Sequence, residues 1–252
     1  MTPPDETTQP LPPHEQRLLA EHAHGDVALF ESLAARRAAR EPLQYLTGTA
    51  YFRTVEVAVG PGVFIPRPET EVMTGWAIDW LRGRDYPVVV ELCAGSGAIS
   101  LAVATELGGC DQHAVERDAA AAAYLRRNVA GAGVAVVESD MADALPELDG
   151  RVDLVIANPP YIPDGDAPAL PSDVRDHEPP ASLFSGSQGL DAIRVVADVA
   201  ARLLRPGGVV ACEHGDDQGA LAPSVFEARG FADVADHADL TRRPRFVTAR
   251  RR

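Results

Sequence analysis

The segment from Asp153 to Gly165, DLVIANPPYIPDG, places an amide and an aromatic ring directly after a run of apolar residues. Two consecutive prolines neither continue a strand nor enter a helix, because each lacks an N–H group and has a fixed φ angle. The segment therefore predicts a buried strand that ends in a rigid, extended tip. On that tip, Asn158 and Tyr161 are expected to face a cleft.

The chemistry that this tip could perform is the binding of a planar NH2 group. The side-chain carbonyl of Asn158 and the backbone carbonyl of Pro159 are two neighbouring hydrogen-bond acceptors, and the ring of Tyr161 could stack on a flat amide or base. An amide nitrogen is a poor nucleophile because its lone pair is delocalised. Acceptors that stabilise the positive charge growing on nitrogen would accelerate its attack on an electrophile. We therefore predict catalytic roles for Asn158, Pro159 and Tyr161.

A glycine-containing turn, in the segment VVVELCAGSGAIS, follows an earlier apolar strand and precedes a predicted helix. Gly95 and Gly97 would let the backbone approach a ligand and would expose N–H groups at a helix N-terminus. A complete G-x-G-x-x-G pattern is absent, which weighs against a nicotinamide or flavin dinucleotide. An ordinary tight strand-to-helix connection remains an alternative at this point.

Acidic residues end the next two predicted strands. Glu116 could accept hydrogen bonds from both hydroxyls of a ribose, and Asp140 with Met141 could bracket an adenine between a carboxylate and an apolar face. Each residue alone is weak evidence, because acidic residues at strand ends are usually just solvated. In this order along the chain they reinforce the glycine turn, and together they predict a pocket for an adenosine without a pyrophosphate.

The elements that must position these residues alternate between strand and helix. Seven apolar segments predict strands, and alanine-rich helical stretches such as 98–106, 119–130 and 190–204 lie between most of them. Such alternation is typical of a doubly wound, mostly parallel sheet with helices on both faces. The last two strands are joined by the short loop 238–244, so one of them should run antiparallel.

The chain also divides by composition. We expect a disordered, proline-rich tail over 1–13, and a helical region over 14–41 that is broken near Gly25, with Asp26 as N-cap. Residues 42–70 are expected to form a β-hairpin linker and residues 71–252 a catalytic domain. The stretch 162–185 is expected to be a lid over the substrate, with His177 as a weak candidate base.

The 252 residues carry a formal net charge of −14, whereas a protein that grips duplex nucleic acid usually presents a basic face. The dense basic cluster, 242–252, is interpreted as a solvated strand end, and no direct nucleic-acid binding is expected. Three cysteines without metal-ligand spacing, an acidic N-terminus and no long apolar segment favour a cytoplasmic protein that binds neither a metal nor a membrane.

The motif NPPY after an apolar strand, with ELCAGSGAIS upstream, resembles class I S-adenosylmethionine-dependent methyltransferases that act on exocyclic or amide nitrogens. The segments PLQYLTG, GVFIPRPETE, DHEPPASLFSGSQGLD, RPGG and FADVADHADLTRRPRFVTAR resemble the HemK/PrmC family of protein-(glutamine-N5) methyltransferases, which modify a glutamine in peptide-chain release factors. The resemblance covers about 42–252. The first motif departs from the family's usual one at Glu91, Cys93 and Ala94, and the N-terminal helical region is shorter than usual.

The resemblance implies S-adenosyl-L-methionine as cofactor, a protein substrate carrying a glutamine, and a specific set of site residues. The cofactor would be lined by Cys93, Ala94, Gly95, Ser96, Gly97, Glu116, Met141 and Asn158, joined by Asp140 from the strand-tip argument. The substrate would be held by Asn158, Pro159, Pro160 and Tyr161, with Phe64, Arg67, Pro68 and Thr70 as a nearby wall. Alternatives are methylation of a small amine or amide metabolite, methylation of a nucleic-acid base, and a non-catalytic binding protein.

Overall fold

The computed structural model describes residues 11–252, and its first elements are the two short helices expected from the sequence. They are α1 (Pro13–His22) and α2 (Val27–Ala38), separated at the predicted break. Asp26 caps α2 as predicted, because its side chain accepts a 3.0 Å hydrogen bond from the N–H of Leu29. The predicted disordered tail lies largely outside the described residues, and its last residue, Pro13, begins α1.

The predicted hairpin is present but occupies a shorter segment than expected. A helical turn, α3 (Leu43–Thr47), precedes it and ends at Gly48, whose φ of 75° lies in the left-handed region that favours glycine. Strands β1 (Thr49–Phe52) and β2 (Val55–Ala58) then pair antiparallel. A long helix, α4 (Pro68–Leu81), was not predicted, and it begins inside the segment assigned to the hairpin linker. Proline suits its first position because an N–H there would have no helical partner.

All seven predicted sheet strands are present in one seven-stranded sheet. They are β3 (Val88–Leu92), β4 (Asp111–Glu116), β5 (Val134–Glu138), β6 (Val152–Ala157), β7 (Leu204–Glu213), β8 (Ala232–Ala238) and β9 (Pro244–Arg250). Their order across the sheet is β5-β4-β3-β6-β7-β9-β8. β9 runs opposite to the other six strands of this sheet and pairs antiparallel with β7 and β8, which confirms the prediction for the last two strands.

Helices cover both faces of this sheet, as the alternating pattern predicts. They are α4, α5 (Ala98–Leu107), α6 (Ala119–Asn128), α8 (Asp191–Leu203) and α9 (Leu221–Glu227). The short α7 (Ser172–Arg175) lies instead at the cavity described below. Successive strand residues enter opposite cores: Val89 packs with residues of α4, α5 and the hairpin, whereas Val90 packs with α8 and α9. The central strands β3 and β6 are buried on both faces, which explains why they read as nearly continuous apolar runs.

A small separate core joins the N-terminal helices to α3. It consists of Leu19 of α1, Leu33 of α2 and Leu46 of α3, each almost fully buried. The hairpin that follows belongs instead to the core under the sheet, because Phe52 and Val57 pack there with Met73 of α4. The hairpin is therefore packed as part of the sheet domain rather than as a free linker.

Candidate functional site

A cavity of about 310 Å³ opens at the carboxyl ends of β3, β4, β5 and β6, where an open α/β sheet binds ligands. It is lined by most of the residues that the sequence singled out: Cys93, Ala94, Gly95, Ser96, Glu116, Asp140, Met141, Asn158, Pro159, Pro160, Tyr161, Phe64, Arg67 and Thr70. Gly97 and Pro68 do not line it. Gly97 lies beneath the turn as the N-cap of α5, and Pro66 takes the place expected for Pro68.

The turn after β3 depends on the small size of Gly97. Its φ is 79°, and a Cβ atom there would lie 2.5 Å from Cδ1 of Leu125 on α6. A non-glycine residue, Cys93, also has a positive φ, 57°, at the start of the turn. Such a conformation is costly for a residue with a side chain, and it brings the backbone close to the cavity. Burial raises the pKa of the Cys93 thiol to about 12, so the thiol is neutral and not a nucleophile.

Glu116 at the tip of β4 holds the turn and also faces the cavity. Its Oε2 accepts a 2.8 Å hydrogen bond from the N–H of Gly95, and its Oε1 accepts one of 2.8 Å from the N–H of Asp118. Each carboxylate oxygen can accept about two hydrogen bonds, so both keep acceptor capacity for a ligand. The carboxylate therefore ties the tips of β3 and β4 together and remains able to bind a diol.

Two further groups from the tip of β5 complete this side of the cavity. Oδ1 of Asp140 accepts a 2.9 Å hydrogen bond from the N–H of Ala142, which orients the carboxylate. The sulfur of Met141 lies 3.7 Å from the sulfur of Cys93 and provides an apolar surface. The predicted pairing of a carboxylate with an apolar face is thus present in one wall.

Glu91 is a cavity residue that the sequence reasoning did not select. It lies in β3, is 1% exposed, and its Oε2 accepts hydrogen bonds from the backbone N–H of Ser100 at 2.9 Å and from the hydroxyl of Ser100. Burial raises the pKa of this carboxyl to about 8, although both Ser100 donors oppose the shift. The available signal was a single acidic residue within the otherwise apolar run VVVELC.

The NPPY tip after β6 is held by two side-chain hydrogen bonds. Nδ2 of Asn158 donates a 3.1 Å hydrogen bond to Oγ1 of Thr70 in α4, and the Tyr161 hydroxyl donates one of 3.2 Å to Oε1 of Glu213 in β7. Burial raises the pKa of Tyr161, so its hydroxyl stays protonated. The amide oxygen of Asn158 accepts no hydrogen bond from residues 11–252, and it is the group left for a ligand.

The segment 162–185, predicted to be a lid, is an ordered wall of the cavity. Its two ends are joined because the N–H of Ile162 donates to the carbonyl of Leu183, and the N–H of Ser185 donates to the carbonyl of Ile162. Leu170, Val174 and Leu183 line the cavity, whereas His177 does not. The absence of His177 from the lining removes the geometric support for a base at that position.

An ion pair with a buried carboxylate joins this segment to the loop before α4. Glu178 is 3% exposed, and it accepts hydrogen bonds from the guanidinium of Arg67 and, at 3.3 Å, from the N–H of Ile65. The guanidinium of Arg67 also lies 4.8 Å from the centre of the Phe64 ring. Glu178 was another residue whose role the sequence did not indicate, because its partners are distant in the chain.

The remaining sequence features are accounted for without further chemistry. In the basic cluster, Arg243, Arg245 and Arg250 form ion pairs with acidic side chains of neighbouring segments. Within residues 11–252 no group of side chains has the arrangement of a metal site. Nor does any helix of that range combine the length and apolar character that crossing a bilayer requires.

Comparison with known proteins agrees with this fold. A family model described as "Methyltransferase small domain" matches residues 56–169. Among solved structures, a 16S rRNA N2 methyltransferase from Thermus thermophilus covers 81% of this chain and 50% of its own at a TM-score of 0.57 and 24% identity. The hMettl16 catalytic domain covers 87% of this chain and 81% of its own, with a TM-score of 0.62 and 17% identity. The fold is that of the class I S-adenosylmethionine-dependent methyltransferases.

Relatives with higher sequence identity show which family of methyltransferases the chain belongs to. A release factor glutamine methyltransferase from Streptomyces coelicolor is 54% identical over 227 residues, which are 89% of this chain and 81% of the relative. A release factor glutamine methyltransferase from Mycolicibacterium smegmatis is 50% identical over 89% of this chain and 80% of the relative. The chain belongs to the release factor glutamine methyltransferase family. A further relative, 42% identical over 86% of this chain and 80% of its own, is the 4-amino-L-phenylalanine/4-methylamino-L-phenylalanine methyltransferase of Streptomyces pristinaespiralis.

Proposed function

We propose that this protein transfers a methyl group from S-adenosyl-L-methionine to the side-chain N5 of a glutamine in a peptide-chain release factor. The observation that carries the proposal is Asn158 at the rim of a cavity that also contains Glu116 and Met141, so an NH2-binding group and an adenosine-binding wall share one space. The relatives named release factor glutamine methyltransferases support the choice of acceptor. Such a substrate implies a cytoplasmic location and a protein partner.

The residues present fit the cofactor. The free acceptor capacity of the Glu116 carboxylate suits the two hydroxyls of a ribose, and Asp140 with Met141 suits an adenine. Cys93 to Ser96 would surround the rest of the molecule, while Gly97 would act only through the turn. S-adenosylmethionine supplies an electron-poor methyl group on a positively charged sulfur. The carboxylates of Glu116 and Asp140 in the lining match that charge.

The acceptor nitrogen would be held by Asn158 and Pro159. Because Nδ2 of Asn158 is bound to Thr70, its Oδ1 is available to accept one amide hydrogen, and the backbone carbonyl of Pro159 could accept the second. Both contacts strengthen as positive charge develops on nitrogen, so they stabilise the transition state more than the ground state. Transfer would break the S–CH3 bond as the N–C bond forms and would leave the sulfur as a neutral thioether. The nitrogen would then lose one proton to water, which needs no strong base because an N-protonated amide is very acidic.

The cavity walls would exclude water and orient the acceptor. Phe64 and Arg67 come from the loop before α4, and Leu170, Val174 and Leu183 come from the segment 162–185. Thr70 would act on the acceptor through Asn158 rather than by direct contact, because its hydroxyl accepts the Asn158 N–H. Tyr161 would present its ring to the substrate, because its hydroxyl donates a hydrogen bond to Glu213. Pro160 would keep this tip rigid.

For the domains, we propose that residues 42–252 act as one catalytic unit and that 14–41 contributes to docking of the protein partner. The hairpin and α4 share a core with the sheet, whereas α1 and α2 pack on the separate small core. No direct nucleic-acid binding is proposed, in keeping with the net charge of −14.

The proposal is tested by incubating the purified protein with methyl-labelled S-adenosylmethionine and purified release factors. We expect label in one glutamine, located by mass spectrometry of peptides, and none in a release factor whose glutamine is replaced by glutamate. Absence of transfer to any release factor, under conditions where the cofactor binds, would overturn the proposed acceptor.

A second candidate acceptor is an aromatic amine. The relative from Streptomyces pristinaespiralis carries a name that specifies 4-amino-L-phenylalanine, and it is 42% identical to this chain over most of its length. An aromatic NH2 group presents the same two hydrogens to Asn158 and Pro159 as an amide does. Incubation with 4-amino-L-phenylalanine in place of a release factor, followed by mass spectrometry, distinguishes the two acceptors.

A further inference from the structure

Glu213 is a buried carboxyl whose place in the site the proposed methyl transfer does not explain. It lies at the end of β7, is 1% exposed, and its Oε1 accepts the hydrogen bond from the Tyr161 hydroxyl. Its Oε2 is also buried but has no hydrogen-bond partner among residues 11–252. A buried carboxylate oxygen without a donor is costly, so a donor nearby is expected to turn towards it.

The hydroxyl of Thr70 is a donor within reach of Glu213, beside the guanidinium of Arg245, which already pairs with Asp239. This hydroxyl lies close enough to Glu213 to lower the pKa of the carboxyl, and it already accepts the N–H of Asn158 at 3.1 Å. A hydroxyl has one proton, so a Thr70 that donates to Glu213 is able only to accept from its other neighbour. Asn158 must then turn Nδ2 towards Thr70 and present Oδ1 to the cavity.

We propose that Glu213 is a positioning residue that, through the Thr70 hydroxyl, fixes which end of the Asn158 amide faces the acceptor nitrogen. A carboxylate at Glu213 makes Thr70 an acceptor for Nδ2 of Asn158, which leaves Oδ1 in the cavity. A protonated Glu213 could instead donate to Thr70, and the Thr70 hydroxyl would then be free to donate to Oδ1 of a flipped Asn158. In the flipped orientation the Asn158 NH2 group would face the NH2 group of the acceptor, and neither group could accept a hydrogen bond from the other.

The consequence for methyl transfer rests on the proposed function, whereas the orientation of the amide does not. The charged and titratable groups that face Glu213 are Arg245 from β9, Tyr161 after β6 and Glu69 from α4. Burial, the dominant effect, raises the pKa of Glu213 to about 7, while Thr70, Arg245 and Tyr161 oppose the shift. Because this pKa is raised, Glu213 becomes a carboxylate only as the pH rises through about 7, and turnover should rise with it.

The chain offers a direct test because it contains only two asparagines, Asn128 and Asn158. Protein labelled with nitrogen-15 in asparagine alone gives two side-chain NH2 signals, and Asn158→Asp identifies which belongs to Asn158. Asn128 is an internal reference, since its Nδ2 donates to the carbonyls of Ala58 and Ser96 and has no contact with Glu213. No methyl acceptor is needed, so this measurement stands even if release factors are not substrates.

We expect the Asn158 signal to shift with pH in the wild type, with a midpoint near 7, and the Asn128 signal to show no such step. The step should disappear in Glu213→Gln and in Thr70→Val, which removes the hydroxyl at similar volume, and should persist in Thr70→Ser. In turnover assays, Glu213→Gln and Thr70→Val should lower kcat about 10- to 100-fold, the effect of losing one hydrogen bond to a charged group, with KM for the cofactor nearly unchanged. An Asn158 signal that responds to pH identically in the wild type and Glu213→Gln, or full turnover in Thr70→Val, would overturn the inference.

Discussion

Replacement of Asn158 by alanine is the most direct test of how the site handles nitrogen. The change removes Oδ1, the amide oxygen left free by the bond to Thr70, and with it one of two acceptors proposed for the substrate NH2 group. Loss of one preorganised partner of a developing charge commonly lowers turnover by about 10²–10³-fold, or roughly 3–4 kcal/mol. We expect a loss of that size in the rate of methyl transfer at saturating cofactor.

The effect of Asn158→Ala on the stability of the fold is expected to be much smaller than its effect on turnover. Asn158 is partly exposed, and the bond from its Nδ2 to Thr70 is a single neutral hydrogen bond, so the free energy of unfolding should fall by only about 1 kcal/mol. The apolar residues of β6 and both prolines remain. Urea unfolding and calorimetric titration with S-adenosylmethionine would show that the variant is folded and binds the cofactor, because most proposed cofactor contacts come from β3, β4 and β5.

Asn158→Asp is the matched comparison. Aspartate keeps an acceptor oxygen at the same place, but it adds a negative charge and no longer donates to Thr70. If any acceptor at this position were sufficient, the rate would recover fully. If orientation matters, recovery should be partial. Near-wild-type turnover in Asn158→Ala with the cofactor bound would refute the mechanism and leave NPPY as a rigid loop.

Three further changes test the rest of the site. Glu116→Ala should weaken cofactor binding by about 1.5–3 kcal/mol for each ribose hydrogen bond lost, measured by calorimetry, whereas Glu138→Ala, which removes only a surface ion pair, should not. Glu91→Gln should alter the pH dependence of the free energy of unfolding. Folding raises the pKa of Glu91 from 4.5 to about 8, because the buried site favours the neutral carboxyl. The stabilisation that the neutral carboxyl gives is therefore fully present below pH 4.5 and is lost as the pH rises through about 8. Wild-type protein should lose up to about 1.4 kcal/mol per pH unit in that window from this group, and an identical pH profile for the glutamine variant would contradict the assignment. Gly97→Ala should lower the urea midpoint more than Gly95→Ala, because both have positive φ but only at Gly97 would the new Cβ contact α6 at 2.5 Å; equal losses would show that the contact is relieved.

The sequence predicted those parts of the fold that depend on local pattern. Apolar runs located every strand of the sheet, and Asp26 marked the start of α2. The helix α4 was missed because FIPRPETE reads as a proline-rich turn, and its apolar face becomes evident only from the core that it shares with the sheet. The turn residues and strand tips of the cavity were likewise found, because a parallel sheet brings successive strand ends to one edge.

The contacts between supporting side chains could not be predicted in the same way. Thr70 and Asn158 are hydrogen-bonded although they lie 88 positions apart in the sequence, and Tyr161 and Glu213 are hydrogen-bonded although they lie 52 positions apart. No local spacing encodes such contacts, and a glutamate at the end of an apolar strand looks like any solvated strand end. Burial is what gives Glu213 a role, and burial at that position is a property of the packed α4 and the NPPY tip, not of the residues beside it in the chain.

The acceptor nitrogen alone does not explain which molecule this protein methylates. A glutamine amide and an aromatic amine both present two hydrogens to Asn158 and Pro159, and relatives named for each kind of acceptor resemble this chain over most of its length. Discrimination must therefore come from groups that contact the rest of the acceptor. We expect those groups to include the segment 162–185, which lines the cavity and which the ion pair of Glu178 and Arg67 joins to the loop before α4. Because Glu178 is buried, removing Arg67 would leave this carboxyl without its charged partner beside the cavity, and the wall would have to rearrange.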